Sequence, residues 1–429
     1  MTGWQPTPAL LRGCAVMLAA PLIGVLIGRP ALVVLAVPFV VLTAAGLWHR
    51  PLSNPGVTSR LRRRTVREGE TSVVETTVGG LDADAIGWLV LPVRYVVPRT
   101  GGAATTLAAT GPTMQLHTDL RALRWGRHEV GGGQLAVTSR WGGFRWGPDL
   151  VATSRLVVLP QAAPFDSTAE APHPVGLVGA NRSRHQGDGR EFASIREFVS
   201  GDRLRRIHWR TSLRTGTLHV VTTTVEQDSA VLLLVDAMAD LGHSGGIDGQ
   251  QSSLDVTMRA AGALAEHHLR IGDRVGLRVI ARSGQIIAPR AGMRQHRLIL
   301  ESLTQVEPGR PDHFDAARIQ LGLSAGTVVL VLSPLLAPEV GATLVALSRS
   351  GLPVVAIDTS PPGLDEVGDS ARLSTAALAW RLRLLEREVQ LRGIVATGTP
   401  VVRWQGPGTL DEVLRRLGRR ARMPRVATR

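Results

Sequence analysis

The sequence predicts an α/β protein with an N-terminal two-helix transmembrane hairpin, a β-sandwich-like domain and then a doubly wound open sheet. Three observations predict this order. Two uncharged apolar runs lie near the N-terminus, short β-branched segments punctuated by glycine and proline follow, and apolar strands alternate with helices after Ala230. The expected domains are 1–50 for the hairpin, 57–162 for the sandwich, 186–228 for a connector and 229–429 for the sheet with a basic C-terminal tail.

Composition excludes several classes of protein. The chain has 429 residues, of which 44% are apolar, so there is enough apolar surface for two or three folded domains and disorder throughout is excluded. The only cysteine, Cys14, excludes a disulfide framework and a cysteine-based zinc site. A mean hydropathy of +0.10 indicates membrane segments.

The net charge of +14 comes from arginine alone, because the chain contains no lysine. Seven arginines lie between Arg415 and Arg429, with no acidic residue among them. A nucleic-acid surface would need basic residues along one folded face together with aromatic side chains that stack on bases. The sequence therefore favours a solvated or lipid-facing tail over a nucleic-acid partner.

The first apolar run extends from Gly13 to Gly28 and the second from Ala31 to Trp48, with an Arg29-Pro30 turn between them. Each run is close to the short end of the length that a membrane-spanning helix needs. A single secretory signal peptide is the alternative. The second run and the weakly basic start at Arg12 argue against it.

Arginine bias in the flanks predicts the orientation of this hairpin. Arg12 precedes the first run, Arg50 and the arginines within 60–64 follow the second, and only Arg29 lies in the turn. Since arginine is enriched on the cytoplasmic side, both ends are expected in the cytoplasm. The predicted localisation is the cell membrane, multi-pass, with the soluble domains cytoplasmic and the hairpin in contact with lipid.

The second region reads as an antiparallel sandwich, with strands expected at Thr71–Val78, Trp88–Val97 and Leu156–Leu159. It contains no His, Asp or Glu cluster at metal-binding spacing. We therefore interpret it as a spacer or docking platform.

The last region alternates strands and helices. Four apolar segments are expected as strands and three segments as helices that connect them. The strands are Val231–Val235, Arg274–Ala281, Thr327–Leu332 and Pro353–Asp358, and the helices are Ser252–His268, Pro338–Ser350 and Thr375–Arg392. In an open sheet of this kind ligands gather beyond the carboxyl ends of the strands, which places Asp236, Ser333 and Asp358 at the edge of interest.

The connector carries the most distinctive residues. Ser194 and Glu197 fit a capping box, which predicts a helix start, and the alternation of Ile207, Trp209 and Thr211 predicts a strand edge or a packed loop. The arginines around Trp209 suit either a phosphate or carboxylate partner or internal ion pairs with nearby acidic residues. The residues expected to contact a partner are Arg196, Gly201, Asp202, Arg206, Trp209, Arg210 and Arg214.

The string G-x-G-x-E-F-x-x-I-R-E-F-x-x-G-D-x-x-R-x-I-H-W-R-T-S-x-R, from Gly187 to Arg214, resembles the signature of the family catalogued as domain of unknown function 58. The resemblance implies that the strand ending at Asp236 begins a von Willebrand factor A-like domain. It also implies a MoxR-type AAA+ ATPase as partner and an association with transglutaminase-like membrane proteins. It implies no established reaction.

Domains that resemble von Willebrand factor A bind Mg²⁺ through Asp-x-Ser-x-Ser at the end of the first strand. Here the corresponding residues are Asp236, Met238 and Asp240, so a thioether and a carboxylate replace the hydroxyl groups. A hard cation prefers oxygen ligands. Asp236 and Asp240 are the candidate metal ligands of a degenerate site, and no cofactor is expected.

These features together predict a membrane-anchored interaction or adaptor protein and not an enzyme. Its expected role is with a MoxR-type ATPase in the assembly or maturation of membrane or envelope complexes. One alternative is an arginine-driven binder of anionic lipid or nucleic acid, recognisable by steep salt dependence. The other, which the residues favour least, is a metal-dependent hydrolase.

Overall fold

The computed structural model describes most of the chain in two compact units. Unit 1 contains Met1–Leu159 and Gly245–Asp248, and unit 2 contains Pro160–Ser244 and Gly249–Arg429. The described residues are 3–99, 104–161, 186–187, 191–199, 204, 207–224, 230–312, 323, 327–361, 375–406 and 409.

Unit 1 begins with two apolar helices, α1 (Pro8–Leu26) and α2 (Ala31–Trp48), which are joined by a short turn. Both are long and apolar enough to cross a membrane. Helix α1 starts earlier than the apolar run predicts, because the Thr7 side chain accepts a hydrogen bond from the backbone N–H of Leu10 and Pro8 occupies the first turn. Most of the leucine and valine side chains of both helices are exposed, as expected for helices that contact lipid.

Twelve described strands form the rest of unit 1. They are β1 (Gln5–Pro6), β2 (Gly56–Leu61), β3 (Thr65–Arg67), β4 (Thr71–Gly79), β5 (Ala83–Val90), β6 (Val96–Pro98), β7 (Ala104–Ala108), β8 (Thr113–Ala122), β9 (Gly126–Val130), β10 (Gly133–Ser139), β11 (Phe144–Val151) and β12 (Ser154–Leu159). They pair as β2-β4-β8-β6, β1-β11-β10-β5-β7 and β3-β12-β9. Among the described pairs of this unit, β3 with β12 is parallel and the others are antiparallel.

The two larger sheets pack face to face, which agrees with the predicted sandwich. Strand β4 alternates between buried and partly exposed residues, as a strand with one covered face does. Its Val78 joins a buried cluster with Leu116 of β8 and with Ile86, Leu135 and Val137 of the other sheet. Burial of apolar side chains from both sheets stabilises this arrangement.

One predicted strand of the sandwich is wrong. The segment Trp88–Val97 is divided between β5, which ends at Val90, and β6, which starts at Val96. Pro92 has no N–H to donate to a ladder, and Tyr95 has a φ of 66°. An apolar, β-branched composition does not reveal such a backbone reversal.

The hairpin is joined to the sandwich within unit 1 by backbone contacts. The N–H of Thr7 donates to the carbonyl oxygen of Gly143 at 3.0 Å, and its hydroxyl donates to the carbonyl oxygen of Gly142 at 2.6 Å. A Cβ on Gly143 would lie 3.0 Å from the Cα of Gly46 in α2. Only glycine allows the two backbones to approach this closely.

Unit 2 contains the remaining nine described strands and five described helices. The strands are β13 (Gln186–Gly187), β14 (Glu191–Glu197), β15 (His219–Thr224), β16 (Ala230–Asp236), β17 (Arg274–Ile280), β18 (Gln285–Arg290), β19 (Val328–Ser333), β20 (Val354–Asp358) and β21 (Val401–Arg403). The helices are α3 (Trp209–Thr215), α4 (Ser253–Arg270), α5 (Met293–Leu303), α6 (Pro338–Arg349) and α7 (Thr375–Ala396).

The main sheet of unit 2 is open and mostly parallel, as predicted. Its order is β18-β17-β16-β19-β20-β21, and among these strands only the edge strand β18 runs antiparallel. Strand order reverses between β16 and β19, which is the topological switch point of such a sheet. Helices α6 and α7 pack against one face of the sheet and form a buried apolar cluster with it. Helix α4 contacts β16, β17 and β19 and takes no part in that cluster.

Helix α4 begins where the sequence predicts. The Ser252 hydroxyl accepts from the N–H of Asp255, and the Asp255 carboxylate accepts from the N–H of Ser252. This capping box satisfies two backbone donors at the helix start.

Helix α7 does not end at Arg392 as the sequence predicts. It continues to Ala396, because Ile394 is buried against the sheet and favours another turn. Gly398, with a φ of 78°, follows the actual end.

The connector contains a small antiparallel sheet in the order β13-β15-β14. Ser194 and Glu197 both lie in β14, so the helix start predicted from their capping-box spacing is wrong. Ladder pairing of this segment with β15, more than twenty residues later, overrides the local pattern.

Candidate functional site

Helix α3 is the centre of the connector. The Nδ1 atom of His208 accepts a hydrogen bond from the N–H of Thr211 at 3.3 Å and so caps the helix start. Gly216, with a φ of 74°, ends the helix. The predicted strand edge therefore ends at Ile207, which forms a bridge with Val220, and Trp209 and Thr211 are helical instead.

One side of α3 is fixed by hydrogen bonds. The Ser212 side chain is buried, its Oγ donates to the carbonyl oxygen of His208 at 3.0 Å, and it accepts from the N–H of His219 at 2.8 Å. His219 begins β15. These bonds determine which residues of the helix point away from the sheet.

The opposite side of α3 presents a mixed apolar and cationic surface. Trp209 is 62% exposed and Leu213 is 83% exposed. They lie four residues apart and share one side of the helix, and the exposed Arg210 and Arg214 do the same beside them. We call Trp209, Arg210, Leu213 and Arg214 the α3 surface. A large exposed aromatic next to arginine is typical of a protein-binding site.

The other predicted contact residues do not all join this surface. Arg196 lies on β14 opposite Val220, and Ile207 pairs with Val220 from the other side, so Arg196 and α3 flank β15 on opposite edges. An N–H of the Arg196 guanidinium donates to the carbonyl oxygen of Glu197 at 2.9 Å. Gly201, Asp202 and Arg206 lie outside the described residues.

The carboxyl edge of the main sheet is the second candidate site. Asp236 ends β16, Ser333 ends β19 and Asp358 ends β20, and the parallel strands bring these ends to one edge. The Asp236 carboxylate is buried, with one oxygen accepting from the Ser333 hydroxyl at 2.6 Å and the other from the N–H of Met238 at 3.0 Å. Burial raises the pKa of Asp236, and these hydrogen bonds offset part of the rise.

The candidate ligands of the degenerate magnesium site make hydrogen bonds within the protein. The Met238 side chain is buried, and Asp240 accepts a hydrogen bond from the N–H of Leu254 at the start of α4. Within the described parts of the chain, no group of three or more His, Cys, Asp or Glu side chains is placed to hold a metal ion. Asp236 and Asp240 each accept a hydrogen bond from a backbone N–H.

Arg387 completes this edge, and the sequence patterns did not single it out. Its guanidinium donates to the Asp358 carboxylate at 2.5 Å, to the carbonyl oxygen of Pro334 at 2.8 Å and to the Ser360 hydroxyl at 2.8 Å. The available signal was its place between Leu384 and Leu391 on the side of α7 that faces the sheet. The result is a largely buried, hydrogen-bonded ion pair that links α7 to the end of β20.

Comparison with known proteins bears on the connector and the main sheet. No curated protein matches the chain. Residues 194–394, just under half of the chain, match the family described as "Protein of unknown function DUF58". The matched residues run from β14 into the last turns of α7. The match supports the assignment of this protein to the DUF58 family, as the Gly187–Arg214 motif predicts.

Proposed function

We propose that this protein is a membrane-anchored adaptor whose α3 surface binds a protein partner. The observation that carries the proposal is the exposure of Trp209 and Leu213 on a helix whose other side is hydrogen-bonded to β15. Exposing these side chains to water has a free-energy cost that a partner would remove. Tryptophan and arginine are also the residues that most often dominate binding energy at protein interfaces.

The proposed partner is a MoxR-type AAA+ ATPase, which the family resemblance suggests. The adaptor would present a client, such as a transglutaminase-like membrane protein, during assembly or maturation of membrane or envelope complexes. The strand order and the antiparallel edge strand β18 support a von Willebrand factor A-like domain in unit 2. We propose a binding role for this domain and no reaction.

Helices α1 and α2 would anchor the adaptor in the cell membrane. The arginine distribution around them supports a multi-pass topology with both units in the cytoplasm, where an ATPase has access to nucleotide. Arg12 and Arg50 would lie at the cytoplasmic ends of the helices and Arg29 in the opposite turn.

The alternative of an arginine-driven binder of lipid or nucleic acid is less favoured, because several described arginines are already paired with acidic side chains. Arg60 is ion-paired with Glu75, Arg121 with Asp248 and Arg387 with Asp358. The basic tail at Arg415–Arg429 lies outside the described residues. We therefore retain this class only as an outcome of the binding experiment.

The test is capture of the partner by the full-length protein in native membranes, with cross-linking and mass spectrometry. We expect a MoxR-type ATPase cross-linked within 187–240. Trp209→Ala should weaken capture about 30-fold, as expected for an interface tryptophan worth about 2 kcal/mol. Arg210→Ala and Arg214→Ala should weaken it less, and none of the three should lower the melting temperature.

A matched control separates contact from loss of fold. Leu213→Ala should reduce capture, whereas Leu150→Ala, at a leucine of unit 1 that is also mostly exposed, should not. Recovery of lipid or nucleic acid without an ATPase, under nucleotide-supplemented conditions, would favour the electrostatic alternative. Equal capture by wild type and Trp209→Ala would reject the α3 surface.

A further inference from the structure

Helix α7 has one face whose orientation is determined by specific contacts. Arg387 is bonded to Asp358 at 2.5 Å, and the side-chain N–H of Gln390 donates to the carbonyl oxygen of Ala337 at 3.1 Å. Ile394 is buried in the cluster formed with α6 and the sheet. These contacts fix the rotation of the helix about its axis, and they determine which residues lie on its outer face.

The outer face of α7 carries an unbroken apolar stripe. Leu378, Leu382, Leu385 and Val389 are 57–65% exposed, although they are large apolar side chains. Their spacing of four, three and four residues is that of the a and d positions of a coiled coil, with Leu382 and Val389 at a and Leu378 and Leu385 at d. We call these four residues the α7 stripe.

We propose that the α7 stripe binds the same stripe of a second copy of this chain, with the two helices antiparallel. In this register Leu382 packs against the partner's Leu385, and Val389 packs against the partner's Leu378. By two-fold symmetry each contact occurs twice, so every layer between the helices is apolar. The proposal concerns a different surface from α3 and does not depend on the adaptor function.

The charges beside the stripe support the antiparallel arrangement. Arg381 on one copy lies next to the partner's Glu388, and the symmetric pair forms as well, so each end of the interface joins opposite charges. A parallel arrangement would instead place Arg392, at the next d position, directly against the partner's Arg392. Like charges at such a position oppose pairing.

A lipid surface fits the stripe less well than a second copy does. Glu386 and Glu388 are exposed on either side of the leucines. A helix that lies on anionic lipid carries Lys or Arg beside its apolar face. The mixture of both signs around the α7 stripe suits pairing between protein helices.

The first experiment measures the mass of the full-length protein in detergent over a range of concentrations, by light scattering. We expect a concentration-dependent dimer. Leu382→Glu should raise the apparent dissociation constant at least tenfold, because it places a carboxylate in an apolar layer. The matched control is Val395→Glu, at a residue of α7 that is 56% exposed but lies off the stripe, and this variant should dimerise as the wild type does.

Charge reversal tests the same interface without removing apolar contacts. Arg381→Glu and Glu388→Arg should each weaken dimerisation, and the double variant should restore it toward the wild-type value. A double variant that is weaker than either single variant would overturn the antiparallel pairing of these residues. Circular dichroism checks that every variant retains its helix content.

Cysteine cross-linking determines orientation. In a Cys14→Ser background, differently tagged Leu378→Cys and Val389→Cys variants should cross-link efficiently only when they are mixed. Efficient cross-linking of either variant with itself would indicate parallel helices and overturn the proposed register. A monomeric mass at every concentration, or equal dimerisation of Leu382→Glu and Val395→Glu, would overturn the proposal itself.

Discussion

Asp236 and Asp358 end two parallel strands of the same sheet, but their buried carboxyl groups are accommodated in different ways. Asp236 receives hydrogen bonds from the Ser333 hydroxyl and a backbone N–H, and its pKa is raised because burial disfavours the charged form. Asp358 is paired with the guanidinium of Arg387. Parallel-strand geometry alone predicts that Asp236, Ser333 and Asp358 meet at one edge. The identity of each hydrogen-bond partner required the folded arrangement.

His128 in unit 1 is expected to make the stability of the fold depend on pH. Burial lowers the pKa of His128, and the nearby charge of Arg124 lowers it further, although the hydrogen bond to the Arg124 carbonyl oxygen at 3.0 Å partly offsets both. The unfolded chain therefore takes up this proton near pH 6.5, before the folded chain does. The stability that neutral His128 contributes is fully present above this pH and is lost as the pH falls below it.

His128→Gln should remove this pH dependence. We expect the stability advantage of wild type over the variant to shrink between pH 7.5 and pH 5.5. Thermal unfolding of both proteins at the two pH values measures the difference. An advantage that stays constant, or grows on acidification, would contradict the assigned direction of the pKa shift.

At the scale of helices and strands, local sequence patterns predict many of the elements. The strand expected at Thr71–Val78 forms as β4, and α4 begins at Ser252, as the sequence predicts. The failures occur where a distant partner decides the conformation. The segment Ser194–Glu197 becomes a strand because it pairs with β15, and α3 forms where alternation suggests a strand. A pattern that covers only a few residues is compatible with either a helix or a strand.

The contact that seats α7 on the sheet can be tested by substitution. Arg387→Ala should destabilise the protein by about 3–5 kcal/mol, because it leaves Asp358 buried without its cation. Chemical denaturation measures this change. The double variant Asp358→Asn/Arg387→Gln should lose less than the sum of its single variants, since the two side chains interact directly. Additive losses, or a loss from Arg387→Ala below about 1 kcal/mol, would show that the pair does not anchor the helix.

At the scale of the whole molecule, hydropathy predicts two apolar helices near the N-terminus, and the structure contains them as α1 and α2. Both helices have the length and composition to cross a membrane. Their junction with the sandwich, where Gly46 meets Gly143, was not predicted, because the two glycines are almost a hundred residues apart in the chain. The orientation in the membrane is a prediction from arginine bias.

Single-cysteine labelling tests that orientation. In a Cys14→Ser background, Ala31→Cys at the start of α2, next to the hairpin turn, should react with a membrane-impermeant maleimide in intact cells. Ile286→Cys, at an exposed position of β18, should react only after lysis. The Cys14→Ser protein alone sets the background. The reverse labelling pattern would place both folded units outside the cytoplasm.

The sequence by itself determined the two apolar helices at the N-terminus, the strand at Thr71–Val78 and the doubly wound pattern of the main sheet. It did so because hydrophobic periodicity and helix capping are local properties of the chain. Only the tertiary structure decided which faces remain exposed. The stripe of α7 points outward because Arg387 and Ile394 are held inward, and Trp209 is exposed because Ser212 is bonded to His219. The bond between Asp236 and Ser333 joins residues 97 positions apart, a separation that no local pattern encodes.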